Sequence, residues 1–124
     1  MSNLLFGGLT ILVLVILLYF FPIVQICGYS MYPTMMDGEF YLGMRVFRKD
    51  KCKPGRIYVY RPPYKSEEEK FVIKRLSAVK FKNKKVKYWF LGDNSYDSYD
   101  SRYYGDVDSE RVVAQIILMK RGVK

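Results

Sequence analysis

The sequence predicts a mainly β fold that is preceded by one N-terminal transmembrane helix. No side chain is charged from Met1 to Met36, and this part contains an apolar run long enough to cross a bilayer. Beyond it, several short segments alternate between apolar and polar residues, which is the period of a half-buried strand. Turn-forming residues separate these segments, and no helical period of 3.6 residues is sustained among them.

The apolar run extends from Leu4 to Val24 and consists mainly of Leu, Ile, Val, Phe and Tyr. As a helix that rises about 1.5 Å per residue, it matches a hydrocarbon core of about 30 Å. A cleaved signal peptide fits less well, because no Lys or Arg precedes the run and no small-x-small site follows it. We therefore expect a transmembrane anchor at residues 1–25 and a folded domain at residues 26–124. Charge does not orient the anchor, because the first basic residue is Arg45.

Five segments beyond the anchor are rich in β-branched and aromatic residues, which favour strands. They span residues 40–47, 56–61, 70–81, 85–91 and 112–120. The turn signals before and between them are Asp37-Gly38, Pro54-Gly55, Pro62-Pro63 and Asn83. This pattern predicts a compact all-β unit of five or six strands, arranged as a small folded sheet or a partial barrel.

The chain is strongly basic, and its formal net charge of +9 favours contact with anionic lipid headgroups. Residues 80–90 combine lysines with Tyr88, Trp89 and Phe90, a combination that also occurs in nucleic-acid-binding surfaces. No nucleic-acid-binding motif accompanies it, so we expect membrane lipids and no nucleic acid among the partners. We favour the hypothesis that this segment is a hairpin that dips into the membrane interface.

The chain contains no histidine, which removes the Ser-His-Asp triad, Cys-His pairs and every zinc site that includes histidine. Cys27 and Cys52 lie far apart and are too few for a metal site, and we favour free thiols. The acidic segment from Asp93 fails as a calcium loop, because Ser98 stands where Gly is needed and Tyr104 where Glu is needed. We expect no metal and no cofactor. The base of any nucleophilic enzyme here has to be a carboxylate or a lysine.

Lys74 is the candidate for such a base, because alternation places Val72, Lys74 and Leu76 on one face of a predicted strand. Apolar neighbours would desolvate the amine and lower its pKa from the ordinary value of about 10.4. By themselves, however, the residues favour an amphipathic lysine that extends off a sheet edge into water. Ser30, just beyond the anchor, also has two interpretations: a nucleophile, or a residue of the linker where the helix ends.

Three segments of the chain resemble the signature boxes of the type I signal peptidase family. They are "SMYPT" at 30–34, "KR" at 74–75 and "GDNSYDSYDSRYYG" at 92–105, here called the first, second and third segments. They occur in the family's order, behind an anchor at the family's place, and "PGRIYVYRPP" at 54–63 resembles the family's strand between the first two boxes. The third segment is the most specific. Its matching positions are Gly92, Asp93, Asn94, Ser98, Asp100, Ser101 and Arg102.

The resemblance implies a membrane-anchored serine endopeptidase that removes N-terminal signal peptides from secreted preproteins after small residues. On the matched positions, Ser30 is the nucleophile, and Lys74 is the general base that takes its proton and later activates the deacylating water. Ser98 corresponds to a hydroxyl that orients the lysine amine. The resemblance also implies that the serine–lysine pair needs no cofactor and that the domain lies on the extracytoplasmic side of the membrane.

The resemblance further implies supporting and substrate-contacting residues. Asp100 and Arg102 would pair their charges to hold the third segment in place, with support from Asp93. The Ser30 backbone N–H would be the main oxyanion donor, because Gly28 stands where some members supply a hydroxyl. The expected walls of the substrate pocket are Met31, Val72 and Leu76.

The sequence departs from the larger members of the family after Lys74, where a hairpin at Asn83 replaces a sizeable insertion. We therefore expect a minimal form without the accessory β-domain. A self-cleaving repressor-type serine–lysine protease is less consistent, because the region before Ser30 is an apolar helix.

Three other functions stay open. A catalytically inactive binding module of the same fold would share these sequence features, and a peptidase dedicated to one substrate, such as a pilin, would differ only in that substrate. A basic membrane protein that gathers anionic partners would instead depend on Lys80, Lys82, Lys84, Lys85 and Lys87. The oligomeric state is not indicated by the sequence.

Overall fold

The computed structural model describes residues 2–118, which form one helix followed by an antiparallel half-barrel sheet. The helix α1 spans Ser2–Phe20, and a short helix α2 spans Ser101–Tyr104. The strands are β1 Ile23–Gln25, β2 Phe40–Arg45, β3 Ile57–Tyr60, β4 Val72–Lys82, β5 Lys85–Leu91, β6 Val107–Asp108 and β7 Val112–Leu118. Their order in the sheet is β1-β2-β7-β3-β4-β5-β6. The mainly β fold predicted from the sequence is confirmed.

Helix α1 has the length and the apolar composition that crossing a membrane requires, and none of its residues is buried against the rest of the chain. It ends at Phe20, and the Phe21 N–H still bonds to the Leu17 carbonyl at 2.7 Å. Pro22 stops the helix, because proline lacks an N–H and disfavours helical geometry at the preceding residue. The strand β1 begins one residue later, so the change from helix to sheet falls within the predicted anchor at 1–25.

The sheet has seven strands in the described part of the chain, so the expectation of five or six was too low. The two additional strands are β1 and β6. The first lies inside the apolar run, where it cannot be told from helix by composition, and it pairs with β2. The second has only two residues, which is too short for an alternating pattern, and it pairs with β5. The predicted strand at 112–120 is β7, and its last two residues lie outside the described residues.

Two apolar clusters form the core, and the alternation of β3 places them on opposite faces of the sheet. All four residues of β3 are buried. The first cluster contains Cys52, Tyr58, Tyr60, Val72, Leu76, Tyr88, Phe90, Val107 and Val112. The second contains Ile26, Met31, Met35, Tyr41, Ile57, Val59, Ala114 and Ile116. The Cys52 thiol is therefore in the core, whereas Cys27 is exposed, and both thiols are free.

The strands β4 and β5 form a hairpin that turns at Asn83 and Lys84, as the turn signal at Asn83 predicted. Both turn residues have positive φ angles, 52° and 63°. A two-residue turn with two positive φ angles matches the right-handed twist of the paired strands, and Asn is among the residues that tolerate it best. The hairpin connects the second and third segments directly, which is the minimal connection expected from the sequence.

Replacing Lys84 with glycine should stabilise the fold, because Lys84 holds a left-handed backbone conformation that costs a side chain roughly 1 kcal/mol. We expect the free energy of unfolding of Lys84→Gly to rise by about 0.5–1 kcal/mol in urea denaturation of the full chain in detergent. Lys85→Gly is the matched control. It removes the same charge one residue later, in an extended strand where glycine destabilises. A gain in both variants, or in neither, would contradict the explanation.

Candidate active site

Ser30 and Lys74 meet in the structure, although 44 positions separate them in the sequence. Lys74 Nζ donates a hydrogen bond to Ser30 Oγ at 2.8 Å. Lys74 lies in β4 opposite Tyr58 of β3, and only 6% of its surface is exposed. Ser30 lies in the turn that follows β1. A hydroxyl and a largely desolvated amine are therefore in direct contact.

The alternation of β4 turns Lys74 inward. Its neighbours two positions away on each side, Val72 and Leu76, are buried in the first apolar cluster. The intervening residues, Ile73 and Arg75, are partly exposed. This is the alternation that the sequence predicted. Because β4 lies between β3 and β5, Lys74 is not on an edge strand, and its buried side chain does not extend into water.

Burial shifts the protonation equilibrium of Lys74. Desolvation lowers the pKa of the Lys74 amine, because the charged form loses more hydration than the neutral form, while the negative charges of Glu69 and Asp100 oppose the shift in part. A larger fraction of this amine is therefore neutral near neutral pH than for a lysine in water. A neutral amine is the form that can accept a proton.

Asp100 is fully buried and accepts hydrogen bonds from three residues of the third segment. Arg102 binds both carboxylate oxygens, with Nε and Nη2 each at 2.9 Å. The Gly92 N–H and the Ser98 hydroxyl donate to Oδ2 at 2.9 and 2.8 Å. Burial by itself raises the pKa of Asp100, but these hydrogen bonds outweigh it and lower the pKa to about 2. The carboxylate therefore stays charged at any pH near neutrality.

The hydrogen bond of Ser98 differs from the one that the resemblance implied. The hydroxyl was expected to orient the Lys74 amine, whereas its hydrogen is directed at Asp100 in the structure. A hydroxyl donates one hydrogen and can still accept others, so this bond leaves the Ser98 oxygen able to accept from an amine. An orienting contact between Ser98 and Lys74 stays a prediction.

Asp93 joins the three segments to one another through two residues for which the sequence predicted no role. Arg75 of the second segment binds its two oxygens at 2.9 and 2.8 Å and also donates to the Gly55 carbonyl at 2.6 Å. The Thr34 hydroxyl of the first segment donates to the same carboxylate. Burial by itself raises the pKa of Asp93, but the bonds from Arg75 and Thr34 lower it overall. Both residues stand in matched segments, but spacing alone does not show which carboxylate they bind.

The third segment also packs directly on the turn that carries Ser30. The Asn94 N–H bonds to the Ser30 carbonyl at 2.9 Å, and Asn94 Nδ2 bonds to the Tyr29 carbonyl at 3.0 Å. Gly92 has no room for a side chain, because a Cβ atom there would lie 2.0 Å from Ser98 Oγ and 2.6 Å from the Ser30 carbonyl oxygen. This approach is possible only with glycine at position 92.

A cavity of about 850 Å³ opens beside Ser30 and Lys74. Met31 and Val72, two of the expected pocket residues, line it. The structure corrects the assignment of Leu76, which is fully buried in the first apolar cluster and does not line this cavity. Leu76 lies on the same face of β4 as Lys74, but it lies deeper in the core and does not reach the cavity. The other apolar lining residues include Ile23, Val24, Ile26, Val59, Ile73, Val113 and Ala114.

A comparison with protein families places this chain among the peptidases, which are hydrolases. The model of the family described as "Signal peptidase, peptidase S26" matches residues 2–80 and 81–119. The chain therefore belongs to the peptidase S26 signal peptidase family, as the three segments predicted. A comparison with curated proteins found no significant match. Signal peptidases are membrane-associated and act on preproteins that carry signal peptides. Within residues 2–118, no group of His, Cys, Asp or Glu side chains could hold a metal ion.

Gly92→Ala should destabilise the chain by about 1–3 kcal/mol, because the added methyl group overlaps Ser98 and the Ser30 carbonyl. The measurement is urea denaturation of the full chain in detergent. Ser95→Ala is the control, since it adds no atoms at an exposed position of the same loop. Equal stability of both variants would show that the third segment does not pack on Ser30 in this way.

The stability difference between Lys74→Met and the wild type should depend on pH. Because burial lowers the pKa of Lys74 in the folded chain, the unfolded chain binds more protons below the ordinary lysine pKa. The stability of the wild type relative to Lys74→Met should therefore rise with pH over the range below the ordinary lysine pKa of about 10.4. Urea denaturation at each pH measures it, with the exposed Lys65→Met as the control. A difference that stays constant across this range would contradict a lowered pKa.

Proposed function

We propose that this chain is a membrane-anchored serine endopeptidase that removes N-terminal signal peptides from secreted preproteins after small residues. Ser30 is the nucleophile and neutral Lys74 is the general base. The observation that carries the proposal is the 2.8 Å hydrogen bond between Lys74 Nζ and Ser30 Oγ, made where the amine is almost fully buried. A buried amine takes the place of the imidazole base that many serine peptidases use and that this chain lacks.

Acylation starts when the neutral Lys74 amine takes the Ser30 proton and Oγ attacks the scissile carbonyl carbon. The Lys74 ammonium then protonates the amine of the mature protein as the C–N bond breaks, which leaves the signal peptide esterified to Ser30. In deacylation, the neutral amine removes a proton from a water molecule that attacks the ester. The same proton returns to Ser30 Oγ when the acid product leaves, so the site is restored.

The Ser30 N–H is the proposed main donor to the oxyanion. Within residues 2–118 it makes no hydrogen bond to the protein, which supports its availability to a substrate. Asn94 Nδ2 binds the Tyr29 carbonyl, which lies in the same rigid peptide plane as the Ser30 N–H, so Asn94 fixes the direction of this donor. Gly28 is not a second donor, because it lacks a hydroxyl and its N–H is bonded to Asp37 Oδ1 at 2.7 Å.

Two ion pairs with partly exposed arginines have a supporting role in this proposal. Asp93, held by Arg75 and Thr34, keeps the third segment against the first two, whereas the pair of Asp100 and Arg102 fixes the third segment internally. The fixed negative charge of Asp100 also lies near Lys74 and stabilises the ammonium that forms during each step. Ser98 links to this network through Asp100.

The position of the cavity supports a substrate that arrives from the membrane. Its lining begins at Pro22, two residues after α1 ends, and continues through Met31 to Val72. If residues 1–25 anchor the chain, the cavity opens at the membrane surface, where a signal peptide presents its cleavage site. The apolar walls suit small side chains, and the domain lies on the extracytoplasmic side, in keeping with the family. An inactive binding module and a peptidase dedicated to one substrate would share this geometry, so activity has to separate them.

Ser30→Ala and Lys74→Met should each abolish cleavage of a preprotein whose signal ends in Ala-x-Ala, with a loss of about 10⁴-fold or more. The full chain in detergent is assayed between pH 6 and 10. For the wild type we expect kcat/KM to rise with pH as Lys74 loses its proton, with a midpoint below the ordinary lysine pKa because burial lowers the pKa of Lys74.

The exposed variants Ser95→Ala and Lys65→Met are the controls and should cleave like the wild type. Cleavage by Ser30→Ala would mean that another group is the nucleophile. A folded wild type that cuts only one class of preprotein would favour the dedicated peptidase. A wild type that binds preproteins and cuts none of them would favour the inactive module.

A further inference from the structure

A second cavity, of about 430 Å³, lies where α1 meets the sheet. Its apolar part includes four exposed side chains, those of Phe20, Phe21, Met44 and Phe47. We call this cavity the basic pocket, because five basic residues also contribute to its mostly apolar lining: Arg45, Arg48, Lys51, Lys53 and Arg56. A surface that combines exposed aromatic rings with clustered positive charge suits a ligand that is itself part apolar and part anionic.

The positive charge of the basic pocket is not neutralised by the protein. No acidic side chain lines it. Among the residues that the structure describes, its exposed cations Arg48, Lys51, Lys53 and Arg56 take part in no ion pair. Asp50 is close in sequence to these residues but does not line the pocket. Even with the negative charge of Asp50 included, the net charge of this surface is positive.

Residues of the basic pocket contact the last turn of α1. Arg45 Nε donates to the Tyr19 carbonyl at 2.8 Å, which satisfies one of the carbonyls that a helix end leaves without a partner. The Arg45 guanidinium carbon also lies 4.3 Å from the centre of the Tyr19 ring. The Phe20 and Phe47 rings pack with their centroids 5.7 Å apart. The helix end and the cations are therefore held together.

We propose that the basic pocket binds an anionic phospholipid, with the headgroup phosphate among the cations and the start of an acyl chain against Phe20 and Phe47. This inference rests on the proposed membrane span of α1, which places the pocket at the depth of the headgroups. Positive charge held beside a transmembrane helix at the depth of the headgroups attracts anionic lipids electrostatically. The Phe20 and Phe47 rings offer an additional apolar contact, which an acyl chain can make and a soluble anion cannot.

The β4–β5 hairpin is the other basic surface, and it fits this role less well. Its lysines are largely paired within the protein: Lys80 and Lys82 with Asp106 at 3.3 and 2.7 Å, and Lys87 with Asp108 at 3.6 Å. The basic pocket keeps its charge for a ligand. The hairpin lysines that lack such partners therefore provide a matched control.

The test is native mass spectrometry of the full chain, released from neutral detergent after addition of dioleoylphosphatidylglycerol or dioleoylphosphatidylcholine. We expect the wild type to retain phosphatidylglycerol in preference to phosphatidylcholine. The triple variant Arg48→Gln/Lys51→Gln/Arg56→Gln should lose about 5-fold in retention for each cation, on the order of 100-fold in total. The control Lys65→Gln/Lys84→Gln/Lys85→Gln removes the same charge elsewhere and should bind like the wild type.

Several results would overturn the proposal. Equal retention of both lipids would show that the pocket binds lipid through apolar contacts alone. Equal losses in both triple variants would show that binding depends on the net charge of the chain and not on this pocket. Displacement of the lipid by glycerol 3-phosphate at equal concentration would indicate a phosphate site, and preference for a Glu-rich peptide would indicate a protein partner. If the pocket variant misfolds, Arg48→Gln alone should still lose about 5-fold. Retention is measured without a preprotein, so it does not depend on peptidase activity.

Discussion

The rest of the site depends on the burial of one amine. Lys74 stands near the start of a long strand, between two residues of the apolar core, with its nitrogen against the Ser30 hydroxyl. A charged amine is poorly solvated there, so burial lowers its pKa and shifts its equilibrium towards the neutral form, which is the form that a proton-accepting role requires. The apolar packing that disfavours a charge at this position therefore also favours the form of the amine that can accept a proton.

In the proposed mechanism the charge of Lys74 changes, whereas the charges of Asp93 and Asp100 stay fixed. Asp93 and Asp100 are each clamped by an arginine, and the pKa of each carboxyl is lowered, so both stay anionic whatever happens at Lys74. Asp100 is paired within the third segment, whereas Asp93 binds Arg75 of the second segment and Thr34 of the first. Asp93 therefore fastens three segments that are distant in sequence, and Asp100 holds a constant negative charge near Lys74, which stabilises a transient ammonium.

Sequence patterns predicted the parts of this protein that depend on local periodicity and composition. The strand face of Lys74, the turn at Asn83 and the apolar helix all follow from residues within a few positions of one another. What failed or stayed invisible depends on contacts between distant segments. The short strand β6 exists only because β5 offers it an edge. Leu76 shares a face with Lys74 and yet belongs to a different environment, and the binding of Thr34 and Arg75 to one carboxylate requires the folded chain.

The position of the β4–β5 turn determines where additional chain can be inserted into a protein of this fold. Asn83 and Lys84 are exposed at the far end of two long paired strands, and the contacts around Ser30 lie at the opposite end of β4. The entropic cost of closing a loop rises only slowly with its length, so extra chain inserted between these strands would leave the register of β4 intact. The turn is thus a natural insertion point. Whole accessory modules could be added or lost there while the chemistry at the base of the strand stays the same.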